Sequence, residues 1–352
     1  DLFQSGDLNR SYHDRDFFSR VQQVTAPARD DEEIGSALRR IRQREMIRIA
    51  WRDLCRKADL FETLKDLSSF ADACIQSTVL RLHSFLEKEF GTPVSSGGAE
   101  YQLITLGMGK LGAQELNFSS DIDLVFVYPD DGETGLSPGS NVATPPRHAI
   151  TNEDFFTRLA RRLTKVLGQA TDEGIVFRVD LRLRPYGDSG PVVMSIDAME
   201  DYLVAQGREW ERYAYIKARA ITGNTKDIIR LKEILHAFVF RKHLDYASFD
   251  SLRDMKQSIV TEIKRKGLKN NIKIGTGGIR EIEFFGQIFQ LIRGGVEPAL
   301  RERKILEVLE LLVEGGHIPQ TVSRELKDAY TFLRHTEHRL QEYADAQTHT
   351  LP

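Results

Sequence analysis

The sequence predicts an α+β fold that is predominantly helical, with a small mixed β-sheet core set between N-terminal helices and a C-terminal all-α bundle. Three observations carry this. Residues from about 14 to 90 place apolar side chains at helical spacing, among them Ile34, Leu38, Ile41, Ile49 and Leu54. After the breaker-rich stretch Gly91–Ala99 the pattern changes to short apolar or alternating runs, which continue to Ser195. From Ile196 onward helical periodicity returns, with breaks at Gly223-Asn224, Gly267, Gly275–Gly278, Gly294-Gly295 and Gly315-Gly316. The regions expected are 1–95, 96–222 and 223–352.

The elements follow in chain order. In the N-terminal helices, six arginines lie between Arg39 and Arg52, and they read as a solvated face with Glu45 and Asp53 as counter-charges. Gln102–Leu106 and Asp121–Tyr128 read as strands. Strict alternation predicts a longer strand over Ile175–Arg184, and Val192–Ser195 reads as a fourth. A loop over Pro129–Pro146 holds four of the eleven prolines. A helix follows it, with Thr151 or Asn152 as N-cap and apolar positions from Phe155 to Leu167.

Composition narrows the function classes. The 352 residues suit two or three domains and carry 49 Lys+Arg against 52 Asp+Glu, a net charge of −3. That balance supplies no global attraction to a phosphate backbone, so no nucleic-acid partner is expected. No apolar run approaches a membrane span, so no membrane partner is expected. Cys55 and Cys74 read as core residues and fit a reducing cytoplasm. The chain lacks an initiator Met, which suggests a processed chain or part of a longer one.

Residues 107–112, GMGKLG, match GxGxxG after a strand. Too few residues separate Gly112 from the strand at Asp121 for a parallel crossover helix, so a dinucleotide-binding unit is excluded. What remains is strand, glycine turn, short helix, and a strand that opens Asp-x-Asp. Period-2 geometry puts Asp121 and Asp123 on one face, their Cα atoms about 7 Å apart. Such a pair suits divalent cations over a phosphoryl group, although Asp121 alone reads as a strand-start residue and Asp123 as a solvated one. In IVFRVDLRLRP, Asp180 alternates with Arg178, Arg182 and Arg184. Alone this is an ion-pair strip; beside the first strand, Asp180 completes a three-carboxylate metal site.

These motifs together resemble a known family. GMGKLGAQELNFSSDIDLVFVY (Gly107–Tyr128) is similar to the nucleotidyltransferase core of the bifunctional glutamine synthetase adenylyltransferase/adenylyl-removing enzymes, within the DNA polymerase beta-like superfamily. The similarity continues through RVDLRLRPYGDSGP (Arg178–Pro191), GREWERYAYIKAR (Gly207–Arg219), NIKIGTGGIREIEFFGQIFQLIRGG (Asn271–Gly295) and QTHTLP (Gln347–Pro352). NFSSDID, IREIEF and the closing THTLP look like the adenylyl-removing half, where the adding half more typically reads GYNSDLD and VDIEF. Ala113 stands where the family often has glycine.

The resemblance implies phosphorolysis: adenylyl-tyrosine on glutamine synthetase plus phosphate gives tyrosine plus ADP. It implies two Mg²⁺ on Asp121, Asp123 and Asp180. It implies phosphate contacts from Gly107, Gly109, Ser119 and Ser120, and it makes Arg182, Arg184, Lys217 and Arg219 candidates for the incoming phosphate. Glu281 and Glu283 point about 200° apart on a helix, so at most one reaches the site; Glu283 is the one expected there, the alternative being an ion pair with Arg280 or another basic residue. Implied partners are glutamine synthetase, the uridylylated PII signal protein and a second core that adds AMP from ATP. The alternatives are the adenylylating core, a nucleic-acid nucleotidyltransferase, or a silent nucleotide-binding module. His335 and His338, flanked by Arg334, Glu337 and Arg339, read as a solvated face, and Trp210 and Tyr213 as packing.

Overall fold

The computed structural model describes Leu2, residues 5–95, 97–135, 148–241, Arg253, Gln257, Thr261, residues 271–344 and His349. Most of the loop Pro129–Pro146, the break at Gly267 and, His349 apart, the closing Gln347–Pro352 lie outside these residues. The chain divides into two compact units. The first comprises the described residues of Asp1–Leu116, Ser120–Tyr202 and Arg219–Leu231; the second comprises those of Asn117–Ser119, Leu203–Ala218 and Lys232–Pro352. The N-terminal helices thus share a unit with the sheet. Among the described residues no helix is long and apolar enough to cross a membrane.

In the first unit the chain opens with α1 (Asp14–Thr25), α2 (Asp31–Leu54) and α3 (Leu60–Phe90). Asp30 and Asp59 cap α2 and α3 by accepting from the backbone N–H groups of Glu33 and Glu62. Phe17 of α1 meets Phe70 of α3 edge-on at 6.4 Å, and Ile34 and Leu38 of α2 are wholly buried. The arginine-rich stretch of α2 is not the solvated face its composition suggested. Arg39, Arg48 and Arg52 are buried. Arg48 donates to Glu45 at 2.7 Å and to Asp66 at 2.9 Å, with its guanidinium 3.9 Å from the centre of the Tyr12 ring. Two carboxylates and an aromatic face offset the desolvation that a lone arginine could not survive. Cys74 is buried as expected, whereas Cys55 is exposed, because it lies at the C-cap of α2 where the helix leaves the core.

After β1 (Thr92–Pro93) come β2 (Ile104–Gly107), the single turn α4 (Gly109–Gly112), β3 (Ile122–Tyr128) and β4 (Thr134–Gly135), which pairs with β1. β2 and β3 run antiparallel, Ile104 opposite Val127 and Gly107 opposite Leu124, as the short connection required. Helix α5 (Asn152–Gly168) is capped by the Thr151 hydroxyl, which accepts from Asp154 N. Its Phe156 stacks on Tyr128 of β3 at 5.5 Å.

The long strand expected over Ile175–Arg184 is reduced to β5 (Val179–Asp180), and Val192–Ser195 becomes β6 (Val193–Ser195). Val176 and Phe177 are both buried, which strict alternation forbids, because Phe177 leaves the strand pattern to bond Leu167 O and pack on Phe70. Beyond Asp180, Pro185 and Gly187 turn the chain. β5 and β6 pair parallel with the same β3, at Ile122–Asp123 and at Phe126–Tyr128. They are one edge strand interrupted: residues 181–192 leave the sheet while β3 advances only past Leu124 and Val125. After α6 (Ile196–Ala205) and α7 (Glu209–Tyr215), β7 (Arg219–Ala220) adds to the other side of β2, completing a mixed five-stranded sheet.

Helix α8 (Thr225–Val239) starts in the first unit and ends in the second. The second unit is helical, with α9 (Ile279–Arg293), α10 (Ile305–Glu314) and α11 (Gln320–Ala344). Ile279, Ile282, Ile305, Val308, Leu309 and Tyr330 form its core. Gly286 lets α9 and α10 approach closely, since a Cβ there would lie 2.3 Å from Ile305. The late glycines end helices as expected, Gly294 after α9 and Gly315 after α10. Arg334, Glu337 and His338 are fully buried, so the solvated-face reading fails for them and holds for the exposed His335 and Arg339. Arg334 donates to Glu337 at 3.1 Å, and the His338 ring lies 5.1 Å from that of Phe118. Tyr213 packs on Phe284 at 5.7 Å.

Candidate functional site

The acidic residues of the sheet meet at one end of β3. The parallel register sets Asp123 directly beside Asp180, and Asp121 lies two residues earlier. Register partners and i, i+2 neighbours project to the same face, so three carboxylates share it. Ile122 N bonds Arg178 O at 2.9 Å, which fixes that register one residue before Val179.

Each outer carboxylate is matched by a guanidinium. Arg178 donates through Nε to Asp121 Oδ1 at 2.6 Å. Arg182 donates through Nε to both Asp180 oxygens, at 3.0 and 2.9 Å, and its backbone N–H adds a bond of 2.8 Å. The Arg182 guanidinium holds the Asp180 carboxyl below the usual carboxylate range, against the raising effect of partial burial. The donor set is hard, anionic oxygen, the type that suits a divalent cation such as Mg²⁺, with Asp121 and Asp180 each paired to an arginine.

The glycine turn serves this cluster in two ways. At Gly107 the space of a Cβ is filled by Ile221 and Leu111, so this glycine allows close packing behind the turn. At Gly109, φ is +52°, and a Cβ would lie 2.9 Å from Asp123 Oδ2. The backbone therefore passes directly against the central carboxylate, which only glycine permits. Met108 N bonds Asp123 O at 2.9 Å and locks the turn to β3.

Arg219 braces the turn from behind. It faces Gly107 in register and donates to the carbonyls of Leu111 and Gly112, at 2.9 and 3.2 Å, and to Asp72 at 2.9 Å. Burial pushes the Asp72 carboxyl up, and Arg219 opposes it. Arg184 is likewise committed within its loop. Its guanidinium donates to the carbonyls of Leu181, Asp188 and Gly190 at 2.9, 3.1 and 3.4 Å. Of the candidate phosphate ligands in this unit, Arg182 is the one held out toward solvent, its side chain 73% exposed. Ser120, half-buried, precedes Asp121 in the same unit.

The remaining candidates belong to the second unit. Ser119 is buried there. Lys217 donates to Glu283 Oε1 at 2.7 Å, so these two are brought together as an ion pair. Glu281 faces elsewhere and accepts from Gly277 N at 2.9 Å, as a two-residue offset on a helix requires. The segment before α9 is held by short-range bonds: the Asn271 side-chain Oδ1 accepts from Lys273 N and Ile274 N, and Gly278 N donates to Gly275 O.

Three features of the first unit were not singled out from sequence: Asp72 as the partner of Arg219, Arg178 as the partner of Asp121, and Tyr186 in its turn. For Tyr186 a signal existed, because Pro185, Gly187 and Gly190 around it announce a tight turn.

Comparison with known proteins agrees with the motifs. The family model described as glutamate-ammonia ligase adenylyltransferase matches residues 3–234, and the one described as GlnD PII-uridylyltransferase matches residues 253–352. A bifunctional glutamine synthetase adenylyltransferase/adenylyl-removing enzyme from Nitrosococcus oceani is 51% identical over all of this chain and 36% of its own length. Enzymes of the same description from Pseudomonas syringae pv. tomato and Pseudomonas aeruginosa are 48% and 47% identical, each over all of this chain and 35% of their own length. The chain thus spans about a third of the length of the curated relatives it matches. The resemblance first seen in GMGKLG and DIDLVFVY extends through the whole sequence, and the chain belongs to the glutamate-ammonia ligase adenylyltransferase family.

Proposed function

We propose that this chain removes AMP from adenylylated glutamine synthetase by phosphorolysis, moving the adenylyl group from a tyrosine oxygen to inorganic phosphate. The observation that carries the reading is the register that sets Asp180 beside Asp123, with Asp121 on the same face. Three carboxylates around a glycine turn are the equipment for phosphoryl-type transfer, in a chain whose relatives are named for adding and removing an adenylyl group. The removing direction is supported by NFSSDID, IREIEF and THTLP.

The reaction balances simply. A phosphate oxygen bonds to the adenylyl phosphorus, the bond from phosphorus to the tyrosine oxygen breaks, and ADP and tyrosine result once that oxygen takes up a proton. Phosphate is already anionic, and a tyrosine leaving group has a pKa of about 10, so no strong general base is needed. Asp121, Asp123 and Asp180 would hold Mg²⁺, which supplies charge neutralisation at the transferring group. Gly109 lets the backbone close on Asp123. Arg182, bonded to Asp180 but with most of its side chain exposed, is the best-placed cation of this unit for the incoming phosphate. The working context is the cytoplasm, with glutamine synthetase as substrate, uridylylated PII as regulator and a second core for the adding reaction.

The test is direct. Incubation with adenylylated glutamine synthetase, Mg²⁺ and phosphate should yield ADP, and Asp121→Asn or Asp123→Asn should abolish it while leaving the fold intact by circular dichroism. Absence of phosphate-dependent ADP, with AMP incorporated from ATP instead, would reassign the chain to the adding direction. Extension of RNA by labelled ATP would move it to the nucleic-acid branch.

A further inference from the structure

Helix α3 carries a polar stripe. Ser68, Asp72 and Gln76 follow one another at four-residue spacing, so they lie on one face. Each bonds a different part of the chain around the glycine turn. Leu116 N, in the segment after α4, donates to Ser68 Oγ at 3.0 Å. Asp72 meets both terminal nitrogens of Arg219 in β7, each at 2.9 Å. Gln76 Nε2 donates to the carbonyl of Ile221, the residue after β7, at 3.0 Å. Ser68 and Asp72 are buried.

From Arg219 the connection runs on to the carboxylates. Its guanidinium also donates to Leu111 O and Gly112 O, at the end of α4. That helix is a single turn, closed by bonds from Gly112 N to Met108 O and from Ala113 N to Gly109 O. At its start, Met108 N bonds Asp123 O, and a Cβ on Gly109 would lie 2.9 Å from Asp123 Oδ2. The turn therefore touches Asp123 at both main chain and side chain, and Arg219 holds its far end. Stability does not call for this arrangement. Burial pushes the Asp72 carboxyl up, and apolar groups of similar volume often replace a buried ion pair without loss. What the two-pronged contact of Arg219 with Asp72 supplies, and apolar packing does not, is a fixed direction.

We propose that Asp72 and Arg219 are positioning residues for the cation-holding end of β3, with Ser68 and Gln76 anchoring the same face of α3. Helix α3 sets Arg219, Arg219 sets the glycine turn, and the turn sets Asp123. This rests on the nucleotidyl-transfer reading of the same carboxylates. It makes α3 part of the catalytic apparatus, and it gives Arg219 a role other than holding the incoming phosphate.

The experiment measures Mn²⁺ affinity by calorimetry, the urea midpoint, and hydrogen exchange at the Gly112 and Ala113 amides. The double variant Arg219→Met/Asp72→Leu replaces the pair by apolar groups and should keep a urea midpoint close to that of the unaltered chain. Its Mn²⁺ affinity should fall about 10- to 100-fold, the range for residues that orient metal ligands, and its two amides should exchange faster. Arg219→Lys keeps a cation opposite Asp72 but cannot reproduce a fork that serves one carboxylate and two carbonyls. It should show the same two changes, and it decides the matter if the double variant does not fold. Ile34→Val, a core substitution in α2, should lower the urea midpoint and leave Mn²⁺ affinity unchanged. Unchanged Mn²⁺ affinity in the folded Arg219 variants would show a merely structural pair and overturn the proposal, as would an equal loss of affinity in Ile34→Val. Failure of the unaltered chain to bind Mn²⁺, or equal binding by Asp123→Asn, would instead overturn the reading of the carboxylates, and this one with it.

Discussion

Gly109 and Arg219 illustrate how single residues set the candidate site. At Gly109 a methyl group would meet Asp123 Oδ2 at 2.9 Å and force a left-handed alanine. Gly109→Ala should therefore fold, with a stability loss of about 1–2 kcal/mol, and should bind Mn²⁺ much more weakly by calorimetry. Unchanged Mn²⁺ affinity would separate this glycine from the carboxylates. Arg219 acts at a distance, by clamping the end of α4 to Asp72. Arg219→Met leaves Asp72 buried without its cation and should cost about 3–5 kcal/mol in urea unfolding. The double variant with Asp72→Leu should recover most of that loss, since replacing a buried pair by apolar groups is close to neutral. Asp121 and Asp123 were legible in the sequence because their spacing alone puts them on one face. Arg48 and Arg219 were not, because an arginine drawn into the fold looks like a surface one until the partners brought by other elements are known, here Asp66 and Asp72.

Among the elements, the interrupted edge strand is the most informative. Alternation was readable through Val179 and Asp180, where it was real, and misleading on both sides. Before it, Val176 and Phe177 are buried together. After it, the apolar Leu181 and Leu183 continued the pattern into a turn. Helices fared better, because their apolar spacing is local and Thr151 announces the start of its helix through a bond made within a turn of sequence. The pairing of β5 with β3 was open in the sequence, since nothing local states which strand lies beside which. The excursion itself is testable through Gly190. Gly190→Ala places a Cβ 2.1 Å from Pro185 O and cannot be accommodated without opening the loop. Proteolytic nicking within residues 181–192 should rise, with a global cost of about 1–3 kcal/mol. Equal protease resistance would show that the loop closes by other means.

At the scale of the whole molecule, stability carries a pH signature from the helices of the first unit. Burial raises the Asp66 carboxyl from 3.8 to about 6, even with Arg48 pulling it down. Folding therefore favours the protonated form, so the Asp66 contribution is complete below pH 3.8 and is lost as pH rises through about 6. Relative to Asp66→Asn, the unaltered chain should lose on the order of 2–3 kcal/mol of unfolding free energy between pH 4 and pH 6.5. Parallel pH profiles for the two proteins would show that Asp66 does not titrate in that window. The five-stranded sheet has a consequence for the chain's behaviour in a crowd. One margin is the two-residue β7, and the other is the pair β5 and β6, split by an excursion. Among the described residues, an extended segment of another molecule finds no continuous row of amide and carbonyl groups at the margins of this sheet. The detour over residues 181–192 also blunts the sheet against edge-to-edge aggregation.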